Sequence, residues 1–126
     1  PIHLAIYRQL QDVRAVYHVH EPHAALCGLR DRGDGSTHIA DFEMIKGLGI
    51  WEEEPSVDVP VLPNHFDVSE IASDLEARLA GDASITVPGI NVAGHGVYAW
   101  GESLDQARRH IECFAYLFEC SWKRES

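Results

Sequence analysis

Two histidines, His18 and His20, sit two positions apart in the β-forming run Ala15-Val16-Tyr17-His18-Val19-His20. Side chains two apart on a strand leave the same face, so both imidazoles can approach one ion at the Zn–N distance of about 2.0–2.1 Å. Taken alone, such a pair more often marks surface or core histidines than ligands. A third imidazole, His95, lies between Gly94 and Gly96. Flanking glycines remove Cβ bulk and open unusual backbone angles, which suits a side chain pushed toward a ligand between two strands, or simply a turn. Three histidines with a fourth position open form the catalytic zinc arrangement rather than the closed structural one. Metal-assisted carbon-acid chemistry also needs a group to take the proton. Glu43, in Asp41-Phe42-Glu43-Met44-Ile45-Lys46-Gly47, is one available carboxylate, although its motif alone reads as a solvated helical position.

The elements that must position these residues alternate between helical and extended patterns, which predicts a layered α/β or α+β domain. Ile2 to Leu10 is expected as a short helix and Ala15 to His20 as a strand stopped by Glu21-Pro22. Pro22 then starts a helix through Leu29, and Asp31 to Ser36 reads as a turn or loop. Phe42 to Leu48 is expected as a short helix, and Val57, Val59 and Val61 as a strand. Asp67 to Ala80 carries a capping box (Asp67, Glu70) and an Ile71, Leu75, Leu79 stripe closed by Gly81. Ile90 to Ala93 and Val97 to Trp100 form two strand segments around Gly94-His95-Gly96. Ser103 with Gln106 opens a last helix, striped by Leu104, Ala107, Ile111, Phe114, Ala115 and Phe118 and ending near Trp122.

The chain has 126 residues, which is the span of one domain, and 45% of them are hydrophobic, enough for a packed core. Its 20 acidic side chains against 10 Lys and Arg give a formal charge of -10. That balance weighs against nucleic acid, whose binding draws on cationic neutralisation of phosphates. No apolar run approaches the roughly 20 residues needed to cross a bilayer, and no secretory pattern opens the chain. Three cysteines, Cys27, Cys113 and Cys120, are an odd number without C-x-x-C spacing, so a reducing cytoplasm is expected.

The segments HVHEPHAA, FEMIKGLGI and PGINVAGHGVYAWGESLDQARRHIECFAYLFE resemble the class II aldolase superfamily, and within it the methylthioribulose-1-phosphate dehydratase branch of methionine salvage. The likeness covers nearly the whole chain. It implies a three-layer α/β/α fold with a central, mainly antiparallel sheet flanked by helices, over residues 1–126 as a single domain. It implies a homotetramer with active sites at subunit interfaces and a small phosphorylated sugar as substrate. By resemblance, His18, His20 and His95 bind Zn2+ and Glu43 is the acid/base. The implied reaction is dehydration of S-methyl-5-thioribulose 1-phosphate to 2,3-diketo-5-methylthiopentyl 1-phosphate. The aldolases proper keep their catalytic Glu upstream of H-x-H, so Glu43 favours the dehydratase branch. An aldolase cleaving a ketose phosphate and a non-catalytic adducin-like interaction module are the alternatives. Family members extend upstream of the point matching Pro1, and that segment is expected to help hold the phosphate. Ala93 also stands where many relatives carry a basic residue.

Among the remaining residues, His23 is expected to line the pocket edge or face water. His3, His38, His65 and His110 read as surface residues, with His110 solvated beside Arg108 and Arg109. Lys46 reads as solvated, Tyr98 as core or interface, and Trp51, Trp100 and Trp122 as core or subunit contact.

Overall fold

A computed structural model describes residues 1–81 and 85–125. Four helices, α1 (Ile2–Gln9), α2 (Pro22–Asp31), α3 (Val68–Gly81) and α4 (Leu104–Glu125), enclose five strands, β1 (Ala15–Val19), β2 (Ser36–Ala40), β3 (Ser56–Leu62), β4 (Gly89–Val92) and β5 (Gly96–Gly101). The sheet order is β1-β5-β4-β3-β2. Among the described residues the β3–β4 pair is parallel and the other three pairs are antiparallel. The mainly antiparallel α/β sheet flanked by helices is therefore the observed fold.

Strand alternation builds one core on each face. Val57, Val59, Val97 and Ala99 pack with Cys27 of α2 and Phe114 and Phe118 of α4. Their neighbours Leu62, Ile90, Val92, Tyr98 and Trp100 pack with Ile6 of α1 and Ile71 and Leu75 of α3. Each sheet face thus carries a helical layer, and burial of these side chains on both sides fixes the register.

The helix starts follow local chemistry. Asp67 caps α3 by accepting from the Ser69 amide at 3.0 Å, while the Glu70 carboxylate turns toward His65 at 3.6 Å. Only half of that expected capping box forms. At α4, Ser103 Oγ accepts from the Gln106 amide at 3.1 Å, and Gln106 Oε1 accepts from the Glu102 amide at 2.7 Å. Residues 43–48 form a 3₁₀ helix, ended by Gly49 in the left-handed region. The strand Ser36–Ala40 continues from the expected 31–36 loop, and α4 runs three residues beyond Trp122.

Several expectations are corrected. His110 is buried at 7% exposure, and its Nδ1 bonds the Trp100 carbonyl at 2.7 Å across to β5. His65 is half-buried, with Nε2 on Asp74 at 2.7 Å. Of the tryptophans read as core or subunit contact, Trp100 is buried in the core and Trp51 stands 77% exposed on the surface of this chain. Among the described residues, no helix is long and apolar enough to cross a membrane.

Candidate metal centre

The three predicted ligands converge. His18 is the next-to-last residue of β1, His20 follows the strand, and His95 sits in the β4–β5 turn, where its amide bonds the Val92 carbonyl at 2.9 Å. Their ligand atoms all lie within 4.8 Å of one another. Ring centroids are 4.7 Å apart for His18–His20 and 5.1 Å for each of the other two pairs.

The backbone explains how this convergence arises. Val19 pairs with Val97 and Val92 with Gly96, so the end of β1 and the β4–β5 turn lie side by side. Gly96 has φ +147°, and a Cβ there would collide with the Val19 carbonyl. Only glycine allows the turn to close this tightly on β1. The start of α2 is tied to the same corner: Asn91 Nδ2 donates to the Ala24 carbonyl at 2.7 Å, and the Gly94 amide to that of Ala25 at 3.2 Å.

The His18 ring is set for ligation. Its Nδ1 lies 3.0 Å from the Val97 carbonyl; a carbonyl only accepts, so the proton sits on Nδ1 and Nε2 keeps its lone pair. That Nε2 is buried without a hydrogen-bond partner. An orphaned buried acceptor costs about 1–3 kcal/mol, and facing two other imidazoles it fits a cation. Burial holds His18 below its ordinary range, opposed by the Val97 carbonyl and reinforced by His20 and His95. Burial, with His20 nearby, also lowers His95. Both effects favour the neutral, ligating form.

A cavity of about 710 Å³ opens beside the cluster, lined by His20, His95, Pro22, Asn64 and Phe66 among others. Among the described residues lining it none is Lys or Arg. His23 is not among the three converging histidines; its Nδ1 is 2.6 Å from Glu21, which also caps α2 through the Ala24 amide.

Glu43 is not brought to this cluster within the chain. The hairpin turn and the ends of β1 and β3 mark one end of the sheet, where Leu62 pairs with Val92. Ala40 and Ser56 pair at the other end, and the 3₁₀ helix leaves from there. The seven residues of β3 between those ends span roughly 20 Å. Glu43 there pairs with Lys46 at 2.6 Å, with its side chain 82% exposed.

One feature lay beyond the sequence reading. Tyr98, directly opposite His18 in the β1–β5 register, stacks on its ring at 3.9 Å and 13°. The signal that could have found it is the antiparallel pairing of H-V-H with G-V-Y.

Residues 1–122 match the model of the Class II Aldolase and Adducin N-terminal domain. Among curated proteins, the chain is 35% identical over 127 residues to methylthioribulose-1-phosphate dehydratase of Parvibaculum lavamentivorans, covering 100% of this chain and 61% of that protein. It is 39% identical to the protein of the same name in Microcystis aeruginosa, over 93% of this chain and 56% of that one. The chain therefore spans little more than half the length of these relatives. Among solved structures, YgbL from Escherichia coli aligns with TM-score 0.67 at 26% identity, over 94% of this chain and 52% of that one. An L-fuculose 1-phosphate aldolase aligns with TM-score 0.73 at 20% identity, over 98% and 51%, a likeness of fold.

Proposed function

Because the chain belongs to the Class II Aldolase and Adducin N-terminal domain family, we propose that residues 1–126 form the metal-binding domain of a cytoplasmic hydro-lyase of methionine salvage. Its substrate is S-methyl-5-thioribulose 1-phosphate, its product 2,3-diketo-5-methylthiopentyl 1-phosphate, and its metal Zn2+. The dehydratase relatives support this choice over an aldolase. The observation that carries the metal reading is the buried, unpartnered Nε2 of His18 facing His20 and His95.

His18, His20 and His95 would hold the ion through neutral imidazole nitrogens. When bound, the ion supplies Lewis-acid polarisation of the substrate carbonyl, which lowers the cost of charge developing as a proton leaves the adjacent carbon. Glu43 takes the C3 proton, and its carboxyl returns a proton to the departing C4 hydroxyl, which leaves as water. The resulting enol tautomerises to the 2,3-diketone. One carboxyl alternates as base and acid, so no proton is lost or gained overall.

Since Glu43 lies at the far end of the sheet from its own histidines, it serves the His cluster of a neighbouring copy in a homotetramer. Its exposure, and that of Met44 and Trp51 nearby, supports a face that meets another subunit.

Turnover of methylthioribulose 1-phosphate by the full-length protein, with and without chelator, tests the reading. Glu43→Gln should retain metal and lose about 10²–10⁴ in kcat. Mixing Glu43→Gln with His95→Ala subunits, each inactive alone, should restore activity by pairing intact histidines with an intact carboxylate. Chelator-resistant turnover, full activity in Glu43→Gln, or carbon–carbon cleavage products would each overturn it.

A further inference from the structure

We propose that Tyr98 is a positioning residue for metal capture: its ring holds the His18 imidazole in ligand orientation, and its π-face favours the charge that imidazole gains on binding a cation. The inference rests on the reading of His18, His20 and His95 as one metal site.

The geometry divides the surroundings of His18 into a closed face and an open edge. Tyr98 is its direct cross-strand partner, and such partners sit within side-chain contact. Their rings lie nearly parallel, 3.9 Å apart at 13°. Against His20 and His95 the same imidazole is turned by 74° and 84°. One face of His18 is thus taken by the phenol ring, while its edge looks toward the other two imidazoles.

Two constraints then act on different motions. The Nδ1 hydrogen bond to the Val97 carbonyl fixes which edge turns outward, and the stack fixes the plane of the ring. Together they leave the buried Nε2 unpartnered and aimed. Tyr98 can bear this role because it is itself held. It is 4% exposed within the cluster of Ile2, Ile6, Ile90 and Trp100, and His3 of α1 meets its ring edge-on at 5.6 Å and 73°.

The stack also has a sign. A phenol ring presents a negative face, and coordination makes an imidazole more positive, so the contact strengthens when the site is loaded. An interaction stronger in the bound state than in the free one must raise affinity, by reciprocity. Groups that orient ligating histidines contribute about 10–100-fold in metal affinity, and an effect of that order is expected here.

The test is competition of Zn2+ against a chromophoric chelator in the full-length protein, with the visible spectrum of the Co2+ form reporting ligand geometry. Tyr98→Phe keeps the ring and should bind within about threefold of wild type. Tyr98→Leu should weaken binding by about tenfold or more and alter the Co2+ spectrum. Pentafluorophenylalanine at position 98, which has the shape of Phe with a reversed face charge, should bind more weakly than Phe. Unchanged affinity in Tyr98→Leu overturns the proposal, as does equal affinity of the fluorinated and ordinary Phe proteins. So does Tyr98→Phe as weak as Tyr98→Leu, which would make the hydroxyl the acting group. Should Tyr98→Leu fail to fold, the two isosteric rings decide. A wild-type protein that binds no metal removes the metal reading and this inference together, whereas normal wild-type binding with a flat series removes only the inference.

Discussion

Replacing Gly96 by Ala should damage the site without touching a ligand. Gly96 has φ +147°, a conformation L side chains rarely adopt, and such strain costs of order 1–3 kcal/mol. The added Cβ would also run into the Val19 carbonyl, with His20 Cα only 3.0 Å away. Both neighbours are backbone, so relief requires β1 to move off β5, and forced repacking of this kind costs about 1–3 kcal/mol more. Alanine recovers up to about 1 kcal/mol through the unfolded chain, leaving a net loss of about 1–6 kcal/mol. Gly33→Ala is the control, since nothing lies within 4 Å of a Cβ there. Urea unfolding measured side by side should show a large fall in midpoint for Gly96→Ala and almost none for Gly33→Ala. Zn2+ affinity should fall in the first alone, because the end of β1 that carries His20 is displaced from His95. Equal midpoints, or lost stability with unchanged metal affinity, would refute the view that this glycine sets the spacing of the ligands.

Other outcomes follow from the same contacts. Burial lowers His18, His95 and His110 below 6.5, so the unfolded chain takes up protons that the folded chain resists. Metal-free protein should be fully stable above about pH 6.5 and lose stability as pH falls below it; Tm across pH 7.5 to 5.5 reads this, and a flat profile contradicts it. His110→Leu strands the buried Trp100 carbonyl and should cost about 1–3 kcal/mol by urea unfolding, with Zn2+ affinity unchanged. His95→Ala should abolish the rise in Tm that Zn2+ gives wild type, a gain of about 2.7 kcal/mol at a hundredfold excess over Kd.

What was legible in the sequence was local or periodic. The stripe of α3 put Ile71 and Leu75 into the core, where both are fully buried, and H-x-H with G-H-G gave the cluster that the hairpin closes. His110 shows where residue type misled. It lies three after Ala107 and four before Phe114, both fully buried, so the helical period already pointed inward, and its place beside Arg108 and Arg109 is what made it read as solvated. Strand β2 went unread because Ser36-Thr37-His38-Ile39-Ala40 carries little apolar signal of its own; its pairing with Val57 and Val59 supplies the stability. The separation of Glu43 from the histidines was beyond any local reading, because it depends on which end of the sheet each connection leaves from.

Among the described residues the first strand lies at the margin of the sheet, bonded to one neighbouring strand. Margins of this kind fray and invite foreign strands. His18 and His20 belong to that margin, while His95 belongs to an interior hairpin. An ion gripping all three would work as a rivet between an edge ribbon of the sheet and an interior one, so starving the protein of metal should free that edge to pair with other chains as well as silence chemistry.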